Sequence, residues 1–152
     1  METFAIVPNT SRAPWILVAL VLVLLIIVGV LMVATARGSR SATFELSNVG
    51  LRLRGDLWGR LVPAADLRGG AARIVDLRQA PDLAPRRRTM GTAMPGYRAG
   101  WFRLANGEKA LVYLTDTHHA VYVPTNRGYS LLLSPQRPER FVESLRSVAP
   151  SP

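Results

Sequence analysis

From Trp15 to Ala36 the chain reads WILVALVLVLLIIVGVLMVATA, 22 residues without a charge. Such a run, about 33 Å long as a helix, matches the hydrocarbon thickness of a bilayer. It is apolar on every face, whereas a helix packed on the core of a small domain is apolar on one. The run therefore predicts a transmembrane helix over residues 15–36, after a short tail over residues 1–14. Trp15 stands where an interfacial aromatic anchor belongs, and Arg37 and Arg40 close the other end. Ala34-Thr35-Ala36 resembles a signal-peptidase site and Arg12 a signal peptide's basic region, but the run exceeds a typical signal core of roughly 7–15 residues. A retained anchor is the expectation.

The span leaves room for one domain. Of 152 residues, those from 37 onward are enough for a hydrophobic core without staples, and the chain has no cysteine to supply any. That lack excludes thiolate zinc sites, thiol redox chemistry and cysteine nucleophiles. The net charge is +9, and Lys109 is the only lysine among 19 basic residues. The arginine bias fits a GC-rich genome as well as any chemical role. Positive charge favours anionic lipid, nucleic acid or acidic proteins without choosing among them. Arg37, Arg40, Arg52 and Arg54 follow the span and only Arg12 precedes it, so the positive-inside rule places the domain in the cytoplasm.

Beyond a linker over residues 37–42, short alternating segments predict strands. Thr43 to Ser47 and Leu51 to Arg54 flank Asn48-Val49-Gly50, a hairpin with Leu51 and Leu53 inward and Arg52 and Arg54 outward. Leu57 to Val62, Arg73 to Leu77 and Tyr97 to Leu104 follow, and Arg78 to Gly96 reads as a long irregular stretch. Asn106-Gly107 predicts a tight hairpin turn before Ala110 to Leu114. Ala120 to Val123 and Tyr129 to Leu133 enclose another turn cluster. Pro138 opens a helix whose Phe141, Val142, Leu145 and Val148 share one face. Residues 149–152 read as a disordered end. No repeat appears.

This order of elements resembles a pleckstrin-homology (PH)-like domain. The run from Arg88 to Phe102, with Asn106-Gly107 after it and Leu133-Ser134-Pro135 before Phe141, resembles the bacterial PH-like domains often found behind a single membrane helix. The likeness extends over about Thr43 to Ser147. It implies a mostly β (α+β) fold: after the transmembrane helix, a partly open antiparallel β-barrel of about seven strands over residues 43–148, capped by a C-terminal α-helix. Periodicity alone gives only mostly β with a terminal helix.

Candidate binding residues cluster in Arg86, Arg87, Arg88, Gly91, Gly96, Tyr97, Arg98 and Trp101, where glycine-rich backbone and guanidinium groups together suit an anion. The lysine-serine/threonine ending of a nucleotide-binding loop is missing. Arg37, Arg40, Arg52 and Arg54 form a second, membrane-proximal basic set. PH domains that bind inositol phosphates use basic residues around the first hairpin, which here is short and lysine-free. His118 and His119, adjacent on the chain, are poorly placed to share a metal, and no cofactor is expected. Glu45, Asp56, Asp66, Asp76, Asp82 and Glu108 show no acid/base pairing pattern, and no serine sits in a nucleophile elbow. The expectation is a non-catalytic, membrane-anchored binding or scaffolding module recognising a protein partner or an anionic ligand such as lipid, with the span arguing against nucleic acid. The alternatives are an enzyme subunit with its site in the 78–100 loop, or an exported envelope domain.

Overall fold

The computed structural model describes residues 13–55 and 58–149, with side chains from 14 onward except at 34–41. The chain divides into two units, residues 1–36 and 37–152.

In the first unit, α1 (Ala13–Ser41) carries the apolar run. From Pro14 to Val33 it is long and apolar enough to cross a membrane, and none of that stretch is buried by protein. Length and composition suit a span or a signal sequence. The helix continues through residues 37–41, where a linker was expected. The side chains of Arg37 and Arg40 lie outside the described residues.

The second unit contains two sheets. In the first, β1 (Thr43–Ser47), β2 (Gly50–Arg54) and β3 (Leu61–Pro63) pair antiparallel in that order. The expected hairpin forms, with Leu51 and Leu53 buried and Arg52 and Arg54 exposed. The third strand begins at Leu61; Leu57, where it was expected to start, lies outside the described residues.

The second sheet comprises β4 (Arg73–Val75), β5 (Pro85–Met94), β6 (Tyr97–Leu104), β7 (Lys109–Leu114), β8 (Ala120–Pro124) and β9 (Ser130–Leu133). Their spatial order is β4-β8-β9-β7-β6-β5. The described residues thus form nine strands where about seven were expected, and β7 and β9 run parallel rather than antiparallel. The reason is that the β8–β9 hairpin docks by its second strand, inserting β9 between β8 and β7. No pairing among the described residues joins the two sheets, so the barrel stays partly open.

Strands β7, β8 and β9 are apolar almost without interruption because both faces of the larger sheet are covered. One face, with Leu111, Val121, Leu131 and Leu133, packs against Leu51 and Leu53 and against α2 (Pro138–Val148). Val142 and Leu145 of α2 are buried there, as the expected helical face requires. The opposite face, with Phe102, Val112, Ala120 and Leu132, is covered by Leu77 and Leu83 from the segment preceding β5.

That segment corrects the reading of residues 78–96 as irregular. A 3-10 turn at Pro81–Leu83 is followed by β5, ten residues paired with β6. β5 is the sheet's edge, largely solvent-exposed, and its register shifts between Pro85 and Arg87 and again between Arg88 and Met90. An exposed edge strand with bulges has no apolar alternation to display. At the β6–β7 turn, Gly107 has φ +86° and its N–H donates to Leu104 O at 3.0 Å. Leu104 N–H in turn donates to Glu108 O at 2.9 Å, closing a three-residue hairpin loop with glycine at the left-handed position.

Candidate binding surface

The β6–β7 loop fixes which side chains stand beside one another. Arg103 pairs with Lys109 across it, and Arg87 of β5 pairs with Arg103 from the other side. Directly paired residues project from the same face of a sheet, with Cβ atoms about 4.5–5.5 Å apart. Arg87, Arg103 and Lys109 therefore form a row of three exposed cations across three adjacent strands. Arg103 Nη1 donates to Gly107 O at 2.9 Å, which holds its guanidinium toward the loop. The nearest carboxylate in sequence, Glu108, is engaged elsewhere: its oxygens accept the Tyr122 hydroxyl at 2.9 and 3.1 Å. Burial, and then this carboxylate, push the Tyr122 hydroxyl pKa upward.

Two residues along β6 from Arg103, Trp101 continues the same face at the rim of the inner core. Lys109 Nζ lies 4.4 Å and Arg60 Cζ 4.8 Å from the Trp101 ring centroid, while the Tyr129 ring meets it edge-on at 5.0 Å. Tryptophan attracts both cations through its ring quadrupole. Lys109 and Arg60 thus flank one half-buried aromatic pair, and Arg103 and Arg87 extend the cationic row across the neighbouring strands. Among the described residues no carboxylate forms an ion pair with any of them. The arrangement can receive an anion by charge, by guanidinium hydrogen bonds and by aromatic contact.

The candidates Arg86, Arg87, Arg88, Gly91, Gly96, Tyr97, Arg98 and Trp101 share one hairpin but not one site. The three arginines lie near its open end. Gly96, Tyr97 and Arg98 lie at its turn, roughly 13–25 Å away at strand rise. Gly96 (φ +76°) makes the turn with Pro95, and Tyr97 is buried. Gly91 faces Gly100 across the strand pair rather than lying in an irregular stretch. Around the turn, a hollow of about 390 Å³ also receives Leu114 and Thr117. In the other basic set, Arg54 Nε pairs with Glu45 at 3.3 Å and Arg52 is exposed.

Arg103 and Tyr129 escaped the sequence reading and Lys109 was noted only as the lone lysine. The three-residue loop Ala105-Asn106-Gly107 sets Arg103 opposite Lys109, whereas a two-residue Asn106-Gly107 turn sets Leu104 there, so the turn signal alone did not disclose the row.

His118 and His119 lie in the β7–β8 connection, each near a different carboxylate. His119 Nδ1 is 3.0 Å from Asp116 Oδ2, and His118 Nδ1 is 3.6 Å from Asp76 Oδ1. No group of three metal-ligating side chains occurs among the described residues. Asp76 is held below the usual carboxylate pKa, chiefly by the Arg78 backbone N–H and then by its guanidinium.

The sequence profile of the bacterial PH domain family matches residues 70–149, running from just before β4 through α2. The chain belongs to this family. The match is shorter than the likeness over residues 43–147 and leaves β1, β2 and β3 outside it. Arg87, Arg103, Lys109, Trp101 and Tyr129 all lie within the PH domain match, whereas Arg60 lies outside it. No curated protein matches the chain. No solved structure matches it.

Proposed function

We propose that this protein is a single-pass membrane protein whose PH domain is a non-catalytic binding module for an anionic ligand at the membrane surface. The observation that carries the reading is the row Arg87–Arg103–Lys109 beside Trp101. Three like charges held side by side repel one another, and a bound anion relieves that repulsion. The apolar stretch Pro14–Val33 supports the anchor. Glu2 and Arg12 cancel before that stretch, so the whole net charge of +9 resides after it. That charge draws the domain toward anionic lipid at about 1 kcal/mol per favourably placed cation. The excess of arginine following the helix favours a cytoplasmic domain facing the inner leaflet.

The test uses the full-length protein in phosphatidylcholine nanodiscs, with Trp15 and Trp58 replaced by Phe so that Trp101 is the sole indole. Titration with short-chain phosphatidylglycerol should change Trp101 emission saturably. The change should vanish in 0.5 M salt and weaken at least fivefold in Arg87→Ser/Lys109→Ser. No response, or an equal response to short-chain phosphatidylcholine, refutes the ligand class. Orientation has its own readout, since the chain has no native cysteine. A Ser151→Cys variant should react with impermeant maleimide only after cells are permeabilised.

A further inference from the structure

The first sheet ends on β1, whose second edge has no strand partner among the described residues. Beside that edge lies an open groove of about 520 Å³ between β1 and the start of α2, within the size range of ligand-binding clefts. Its floor is apolar: Phe44 and Leu46 come from β1, Phe141 comes from α2, and the two phenyl rings stand 6.1 Å apart. Its rim is cationic: Arg137 and Arg140 line it, both exposed, and no carboxylate among the described residues lines it. Glu45, the acid on β1, alternates to the other face and pairs with Arg54. Glu139 and Glu143 fall on other sides of α2, at 100° per residue from the groove-lining Arg140, Phe141 and Ser144. No side chain caps the first turn of α2 beyond Arg137, so the positive end of the helix dipole adds to the two guanidinium groups.

We infer that this groove docks an extended acidic peptide segment of another protein as an added strand on β1. The unpaired edge of Thr43–Ser47 supplies main-chain hydrogen bonds over five residues, about 17 Å of strand. Alternate side chains of the peptide then face opposite ways. The set facing the groove meets the Phe44–Leu46–Phe141 floor and, where it reaches the rim beside the start of α2, places carboxylates on Arg137 and Arg140; the other set points to solvent on the Glu45 face. A small anion would leave the apolar floor and the strand edge unused, which is why a peptide is the better occupant. β1 lies outside the span matched by the family and α2 within it, so the groove is lined from both sides of that boundary. The site is separate from the Trp101 platform, and neither depends on the other.

The experiment is selection of a random octapeptide phage library on the full-length protein in phosphatidylcholine nanodiscs, followed by hydrogen exchange with the strongest synthetic peptide. Expected are sequences enriched in Asp and Glu, slowed exchange in Thr43–Ser47, and at least tenfold weaker binding to Arg137→Glu/Arg140→Glu. Arg137→Gln/Arg140→Gln should give a smaller loss in the same direction, and Arg87→Ser/Lys109→Ser should bind as the wild type does. Three results overturn the inference: peptides without acidic enrichment, binding indifferent to charge reversal, or protection appearing on β5 instead. A fourth is slowed exchange in β1 caused by phosphatidylglycerol nanodiscs alone, which assigns the arginines to lipid head groups. Failure here leaves the Trp101 titration unaffected, so the two readings fail separately.

Discussion

Gly91 and Gly100 oppose each other across β5 and β6, so close that a Cβ on Gly91 would stand 2.2 Å from Ala99 O and 2.8 Å from Gly100 Cα. Both have positive φ, +143° and +116°, a backbone region that L side chains rarely adopt. Backbone here touches backbone, and no side-chain movement relieves the clash. Either Gly91→Ala or Gly100→Ala is expected to cost about 2–3 kcal/mol through strain and displacement of the edge strand. Denaturant titration of the full-length protein in detergent checks this, with Gly96→Ala as a comparison. Gly96 also has positive φ, but nothing lies within 4 Å of its added Cβ, so strain alone acts there and the loss should be smaller.

Placing a carboxylate inside the cationic row separates stability from binding. Arg103 stands between Arg87 and Lys109, so Arg103→Glu converts two repulsive neighbours into two attractive ones. Cross-strand pairs of opposite charge contribute roughly 0.2–1 kcal/mol each. Arg103→Glu should therefore melt at or above the wild-type temperature while losing the phosphatidylglycerol response of Trp101. A variant that loses both indicates that Arg103 serves mainly to brace the Gly107 carbonyl.

What the sequence displayed and what it concealed follow from burial. The β1–β2 hairpin was legible because one face is buried and one wet, so Leu51 and Leu53 alternate with Arg52 and Arg54. α2 was legible because its covered face recurs at helical spacing. Strand β5 was concealed because neither of its faces is continuously buried, and Arg86 to Met90 are all exposed. Its register derives from β6 rather than from any pattern of its own. The parallel β7–β9 pair was concealed for the opposite reason: both faces are covered, and a run such as Leu131-Leu132-Leu133 carries no phase. In the candidate site, arginine and tryptophan identities were visible, but their grouping was not. It depends on Lys109 arriving from β7 and Tyr129 from the turn before β9, both distant in sequence from β5.

The β7–β8 connection carries a pH-dependent contact. Asp116 is held below the usual carboxylate pKa, first because its Oδ1 accepts the His118 backbone N–H at 2.7 Å and then because the His119 ring lies against Oδ2. A carboxyl group with its pKa lowered by folding stabilises the native state above its unfolded value, about 4, and loses that contribution as pH falls through the folded value. Asp116→Asn can still accept the His118 N–H but no longer titrates. Its melting temperature should fall less steeply than the wild type's between pH 5 and pH 2. Parallel curves would mean that other carboxylates, such as Asp76, account for the acid sensitivity.

Ser134 closes the end of the parallel pair and offers the sharpest single-atom test of the topology. Its Oγ accepts the backbone N–H groups of Thr115 at 3.2 Å and Asp116 at 3.1 Å and donates to Asp116 O at 3.0 Å. Its own N–H donates to Tyr113 O at 2.9 Å, so one residue after β9 fastens the chain leaving β7. Ser134→Ala removes three side-chain contacts and leaves the part-buried Asp116 N–H without its acceptor, an expected loss of about 1–2 kcal/mol. Ser134→Thr retains the hydroxyl and should recover most of it. Hydrogen exchange localises the effect: the alanine variant should exchange faster at Thr115 and Asp116 while β1 and β2, in the other sheet, stay protected. Uniform acceleration across both sheets would show instead that this corner opens only when the whole domain unfolds.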